Sequence, residues 1–251
     1  MEICQNCDRD WVAHNENIFI PDDNGFFSIW TPSCPNALSG VQKYPCPSSV
    51  QELGPICAAT CDLLAACMVD PQQVSAECRQ FAAKLVFQRA LESVLYTQPA
   101  VEVAVAIMEK ERNSPVFTLR LNSCFDLLYI GRENMRPAKY TNVTYFLKQI
   151  YTVLESRSVS VEIFNTQLSS FFLDCLLKWC QLCLESPVNY SLTEMETFHH
   201  VIKSTTTDMR RKFPVETKRL RCSIANAVAH ATLKKGVRLI LWAILQLFPV
   251  E

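Results

Sequence analysis

Cys4 and Cys7 stand two residues apart, a spacing that lets both thiolates reach one metal ion. Zn2+ grips such a pair as a knuckle, at about 2.3 Å per sulfur, and needs two further ligands to close a tetrahedron. Cys34 and Cys46 come next in the chain, so Cys4, Cys7, Cys34 and Cys46 are the expected zinc set. His14, at the start of the expected hairpin, and Cys57 and Cys61, one helical turn apart, are alternates for the later positions. The physical need is plain. Residues 1–55 are rich in turn residues and poor in apolar mass, and a metal stabilises such a segment where burial cannot. A redox role fits less well, because thioredoxin-type pairs follow a strand and none precedes Cys4.

The remaining cysteines read differently. Cys175, Cys180 and Cys183 flank Trp179 in the most apolar stretch of the chain, where a cysteine behaves as a small core residue. A cysteine-dependent enzyme is the third-ranked reading and would need a Cys–His pair, for instance with His230. His199 and His200 lack an H-E-x-x-H frame. The sequence contains no G-x-x-x-x-G-K-[ST], G-x-G-x-x-G or G-x-S-x-G.

The other chemistry-bearing feature is electrostatic. Residues 1–78 hold ten acids and two bases, and residues 201–251 hold ten bases and three acids, although the whole chain carries only −1. The basic end is concentrated in Arg210, Arg211, Lys212, Lys218, Arg219 and Arg221, on both sides of Pro214. Such a patch suits an acidic protein partner or the phosphates of a nucleic acid, and residues 203–238 carry that second reading. The plainer reading is an ordinary solvated face, or one end of the chain docking on the other.

These residues need elements to position them. Asn17–Ile20 and Phe26–Trp30 are short apolar runs around Pro21-Asp-Asp-Asn-Gly25, a hairpin signal. Prolines 32, 35, 45, 47 and 55 keep residues 31–55 in loop. Five glycines are few for 251 residues and favour helices joined by short loops. Apolar spacing predicts helices over 55–70, 71–96, 99–112, 114–131, 141–156 and 160–184, another from 191 through Ile202 that Pro214 ends, and one over 215–248. Ser191-Leu-Thr-Glu194 is a capping box. The apolar run Val237–Phe248 falls short of the ~20 residues a bilayer span needs, and reads as core ahead of a membrane-surface anchor. No stretch predicts a transmembrane segment.

The expected architecture is mostly α: one multi-helix domain of about seven or eight helices over 56–251, preceded by a Cys-rich hairpin segment over 1–55. Met1-Glu2-Ile3-Cys4 lacks the basic and apolar regions of a signal peptide, so the expected location is reducing, nucleus or cytoplasm. The expected function is a non-enzymatic interaction or regulatory protein that recruits protein partners. A metal-bound hairpin followed by a helical domain resembles, in architecture alone, general transcription factors that bridge polymerase and DNA, and a compact Cys-rich helical chain is equally compatible with a viral regulator.

Overall fold

The computed structural model describes residues 19–21, 27–29, 43–111, 114–132, 138–158 and 163–248. Strands β1 (Phe19–Pro21) and β2 (Phe27–Ile29) pair antiparallel, with Phe19 opposite Ile29 and Pro21 opposite Phe27. The protein is otherwise mostly α. Ten α-helices lie among the described residues, two or three more than the periodicity implied, and they fall into two compact units, Met1–Met135 and Arg136–Glu251. The boundary expected near residue 55 lies within the first unit.

The first unit holds α1 (Ser48–Gln51), α2 (Ala58–Val69), α3 (Ala76–Glu92), α4 (Val94–Lys110) and α5 (Val116–Ile130). Helix α3 packs on both α4 and α5. Its Phe87 meets Phe125 of α5 edge-on, with ring centroids 4.8 Å apart. Asp70 caps a single 3-10 turn, Pro71–Gln73, rather than the long helix expected there, and Ser75 begins α3 by accepting from Cys78 N at 3.3 Å. Val74 between them is extended, so two short caps replace one.

The next break also moves. A helix was expected to run to Tyr96 and the following one to start at Pro99. Instead Ser93 is extended and caps α4, its hydroxyl accepting from Leu95 N at 3.2 Å. Pro99 then sits inside α4. A helical proline forfeits the bond to the carbonyl four residues back. Here that carbonyl belongs to Leu95, in the first turn of α4. Gly131 does end α5, but at φ −85°, without using glycine's left-handed freedom.

The second unit holds α6 (Ala138–Ser158), α7 (Ile163–Cys183), α8 (Leu192–Lys212), α9 (Pro214–Ala229) and α10 (Lys235–Leu245). Helix α6 packs on α7 and α8, and α8 on α9 and α10. The capping box starts α8, with Glu194 N donating to Ser191 Oγ at 3.2 Å and Ser191 N to Glu194 Oε2 at 2.7 Å. Met195, Phe198, Val201, Ile202, Thr205 and Met209 then line its buried face. On α7, Leu168, Phe172, Leu176, Trp179 and Cys183 are buried, and Asp174 pairs with Lys178 at 2.8 Å on the outer side.

The expected helix over 215–248 is two helices, α9 and α10, separated at His230–Lys234. The cause is legible in the spacing. Leu220, Ile224 and Ala227 form one buried stripe, and Val237, Leu241 and Ile244 form another. On a continuous helix of 3.6 residues per turn the second stripe would be rotated by about a quarter of a turn from the first. The break restores both to the core. Arg238 secures it by donating to His230 O at 2.9 Å.

Candidate functional site

Cys4, Cys7, Cys34 and His14 lie outside the described residues. Cys46, Cys57 and Cys61 lie within them and gather where α2 begins. Cys57 is the residue before the first turn, its Sγ 3.1 Å from Thr60 Oγ1. The Cys61 thiol is pushed up to about 11, first by burial, then by the charge and hydrogen bond of Cys46, and then by Cys57 and Asp62. Cys46 and Cys61 are therefore partners across fifteen residues of sequence. A thiol raised in this way is a poor ligand until it loses its proton, and a metal must displace the proton of Cys61 to bind there. Among the described residues, no group of three or more His, Cys, Asp or Glu side chains is arranged to hold a metal ion.

The thiols around Trp179 belong to the core. Cys175, Cys180 and Cys183 are 4%, 0% and 0% exposed. Burial raises Cys180 well above its ordinary value and Cys183 to about 12. His230 Nδ1 lies 3.0 Å from Thr232 Oγ1.

The six basic residues fall into three groups. Arg211 and Lys212 are used inside the second unit. Arg211 Nη2 reaches Glu155 Oε1 at 3.3 Å and Asp208 Oδ1 at 2.9 Å, and Lys212 Nζ reaches Glu155 Oε2 at 2.8 Å. Lys212 also sits over the Tyr151 ring, 5.4 Å from its centroid. Together they clamp the end of α8 onto α6. Burial pushes the Glu155 carboxyl up, but the hydrogen bonds from Lys212 and Ser169 and the charges of Lys212 and Arg211 outweigh it and hold the group below its ordinary range. The nearby Tyr151 phenol is raised, by burial first and then by Asp208 and Glu155.

Arg221 is half-buried, and its Nε is buried without a hydrogen-bond partner among the described residues. Arg210, Lys218 and Arg219 form the third group. All three are exposed, and none makes an ion pair among the described residues. Arg210 ends α8, and Lys218 and Arg219 lie in the second turn of α9 beyond Pro214. Val215, Lys218, Arg219 and Cys222 recur at helical spacing on the outer face of α9, all exposed. Three unpaired cations within ten residues of sequence, on either side of Pro214, favour a negatively charged partner.

Two sets of residues escaped the sequence reading. One is Arg79 and Glu111, described below. The other is the outer face of α10, where Leu239 and Trp242 are 63% and 54% exposed although the run was read as core. The inner residues Val237, Leu241, Ile244 and Phe248 do enter the core. A count of apolar residues merges the two faces, while the i, i+3, i+4, i+7 spacing separates them. Among the described residues, no helix is long and apolar enough to cross a membrane. Comparison with protein-family models, curated proteins and solved structures finds no match to this chain.

Proposed function

We propose that the chain is a non-enzymatic interaction protein of the regulatory kind, a helical scaffold that recruits an acidic protein partner through Arg210, Lys218 and Arg219. The observation that carries this reading is the division of labour in the basic cluster. Arg211 and Lys212 are occupied by Glu155, whereas Arg210, Lys218 and Arg219 are exposed and make no ion pair among the described residues. An acidic surface recovers the attraction those charges lack, and the association is steered electrostatically. In the same reading Zn2+ holds the Cys-rich N-terminal segment through four ligands, Cys4, Cys7, Cys34 and Cys46, with His14, Cys57 and Cys61 as alternates for the later positions. The setting is transcriptional regulation, in the nucleus or cytoplasm.

The test uses two probes, poly-glutamate and a mixed-sequence DNA duplex, titrated against the full chain by fluorescence anisotropy over a range of salt. Binding of poly-glutamate, lost in R210E/K218E/R219E, supports the reading. Preference for the duplex, with a steep salt slope, assigns the surface to nucleic acid instead. No binding to either probe removes the surface as a site. Elemental analysis of protein purified under reducing conditions tests the metal separately. About one zinc per chain is expected for a closed tetrahedral site, and metal-free, folded protein would overturn that part.

A further inference from the structure

Helix α10 has two working faces. Its inner face, Val237, Leu241 and Ile244, is fully buried in the second unit. Its outer face carries Lys235, Arg238, Leu239 and Trp242, at the spacing i, i+3, i+4, i+7 that aligns side chains along one side of a helix. All four are exposed. Ala243 and Gln246 continue the same exposed side toward the C-terminal end. Leu192 of α8, 52% exposed, adds a third large apolar side chain at its margin. It lies so close that a Cβ on Gly236 would stand 2.5 Å from its Cδ2, and the glycine is what permits the approach. The patch thus runs from cations at the start of α10 to leucine and tryptophan further along.

The cations are placed against the local rule. Lys234 caps α10 and Lys235 opens it. The helix dipole makes that end partly positive, so each lysine there is mildly destabilising, and an anion is the favourable occupant. A second copy of this chain fits poorly, because the face carries Lys234, Lys235 and Arg238 and no acidic residue, so self-pairing gives these cations no counter-charge. The occupant must be anionic and must also accept exposed leucine and tryptophan from a single convex helix.

We infer that this face docks on an anionic lipid surface, with Leu239 and Trp242 entering the headgroup boundary and Lys234, Lys235 and Arg238 meeting the lipid charges. A bilayer surface takes a convex helix without needing a matching groove. The amphipathic indole of tryptophan favours the headgroup level. Basic residues next to an apolar face supply the electrostatic half of the affinity. The contact is peripheral, and α10 remains part of its own core.

The experiment is co-sedimentation of the full chain with phosphatidylcholine vesicles, with and without phosphatidylserine. Binding is expected only to the vesicles containing phosphatidylserine. Leu239→Ser and Trp242→Ser are expected to abolish it, and because both side chains are mostly exposed, unchanged circular dichroism checks that folding survives. Lys234→Gln and Lys235→Gln are each expected to weaken it about fivefold, the effect of one basic residue near an anionic surface. Absence of binding to either vesicle overturns the inference, as does binding that Leu239→Ser and Trp242→Ser leave intact. Capture of poly-glutamate that depends on Leu239 and Trp242, without vesicle binding, also overturns it and assigns the face to an acidic polypeptide.

Discussion

Arg79 and Glu111 form a buried ion pair, Nη1 to Oε1 at 2.9 Å, with Glu111 fully buried and Arg79 nearly so. The carboxylate does more than pair. It ends α4 and accepts from Phe117 N and Thr118 N, both at 3.0 Å, in the first turn of α5. Pro115 opens α5 without a side-chain cap, so Glu111 supplies the missing acceptor from the previous helix. Arg79 in turn donates to Ser114 O at 2.8 Å. Removing one member of a buried pair leaves the other charged and desolvated, which costs about 3–5 kcal/mol. Glu111→Gln should lower stability by that order in urea unfolding. Arg79→Met with Glu111→Gln should cost less than the two single changes added together, since the double variant leaves no orphaned guanidinium.

The turn before α2 gives a second prediction. Gly54 has φ +88°, and an added Cβ would meet Tyr96 Cζ at 2.7 Å. Gly54→Ala therefore combines a left-handed backbone with overpacking against a ring, about 2–4 kcal/mol in all. Gly236→Ala is the control. Its crowded neighbour, Leu192, is half-exposed and able to swing aside. Better helix propensity also offsets the crowding, so the change should stay within about 1 kcal/mol. Thermal unfolding of the two variants distinguishes a constrained glycine from a merely close one.

Features set by neighbouring residues were legible in the sequence, and features set by distant ones were not. Ser191 and Glu194 cap α8 as the local pattern predicts, because both partners lie within one turn. Glu111 carried no such signal, since its partner Arg79 is thirty-two residues away. Among the basic residues, composition treats Arg210, Arg211 and Lys212 alike. Their fates differ because each step along α8 turns about 100°. Arg211 and Lys212 face Glu155 on α6, and Arg210 faces outward. The break at His230 was legible in the shifted apolar stripe but was hidden by the hydrophobicity of the run as a whole. Cys46 of the expected ligand set lies near Cys61, one of its alternates, whereas Cys4, Cys7, Cys34 and His14 lie outside the described residues.

Glu155 predicts an acid-sensitive joint between α6 and α8. Its folded-state value lies below the ordinary 4.5, held there by Lys212, Ser169 and Arg211 against the opposing pull of burial. A depressed carboxylate contributes stability that is fully present above the unfolded value and is lost as pH falls through the folded one. Glu155→Gln should therefore destabilise the protein at neutral pH by about 1 kcal/mol, a modest figure because the pair is part-exposed. The gap between variant and wild type should close in acid, well below pH 4.5. Urea midpoints measured across that range check both the size and the sign. A gap that stays constant with pH would show that the carboxylate acts through packing instead.

Thiol labelling separates the three environments in which cysteines occur among the described residues. Cys222 is exposed on α9, whereas Cys46, Cys57 and Cys61 are half-buried. Cys67, Cys78, Cys124, Cys175, Cys180 and Cys183 are buried. The thiolate is the reactive form, so access and acidity act together. In native metal-free protein, iodoacetamide should modify Cys222 first among the described cysteines. Cys61 should lag behind Cys46 and Cys57, because at about 11 almost none of it is ionised at neutral pH. Cys180 and Cys183 should react only on global unfolding, being both inaccessible and held far above neutrality. Zinc changes one part of this order. If Cys46 serves as a ligand, its labelling should be blocked in protein purified with zinc and should return on chelation, while Cys222 stays unchanged. Equal labelling of Cys46 with and without chelator would remove it from the ligand set and leave Cys46 and Cys61 as neighbouring thiols near the start of α2.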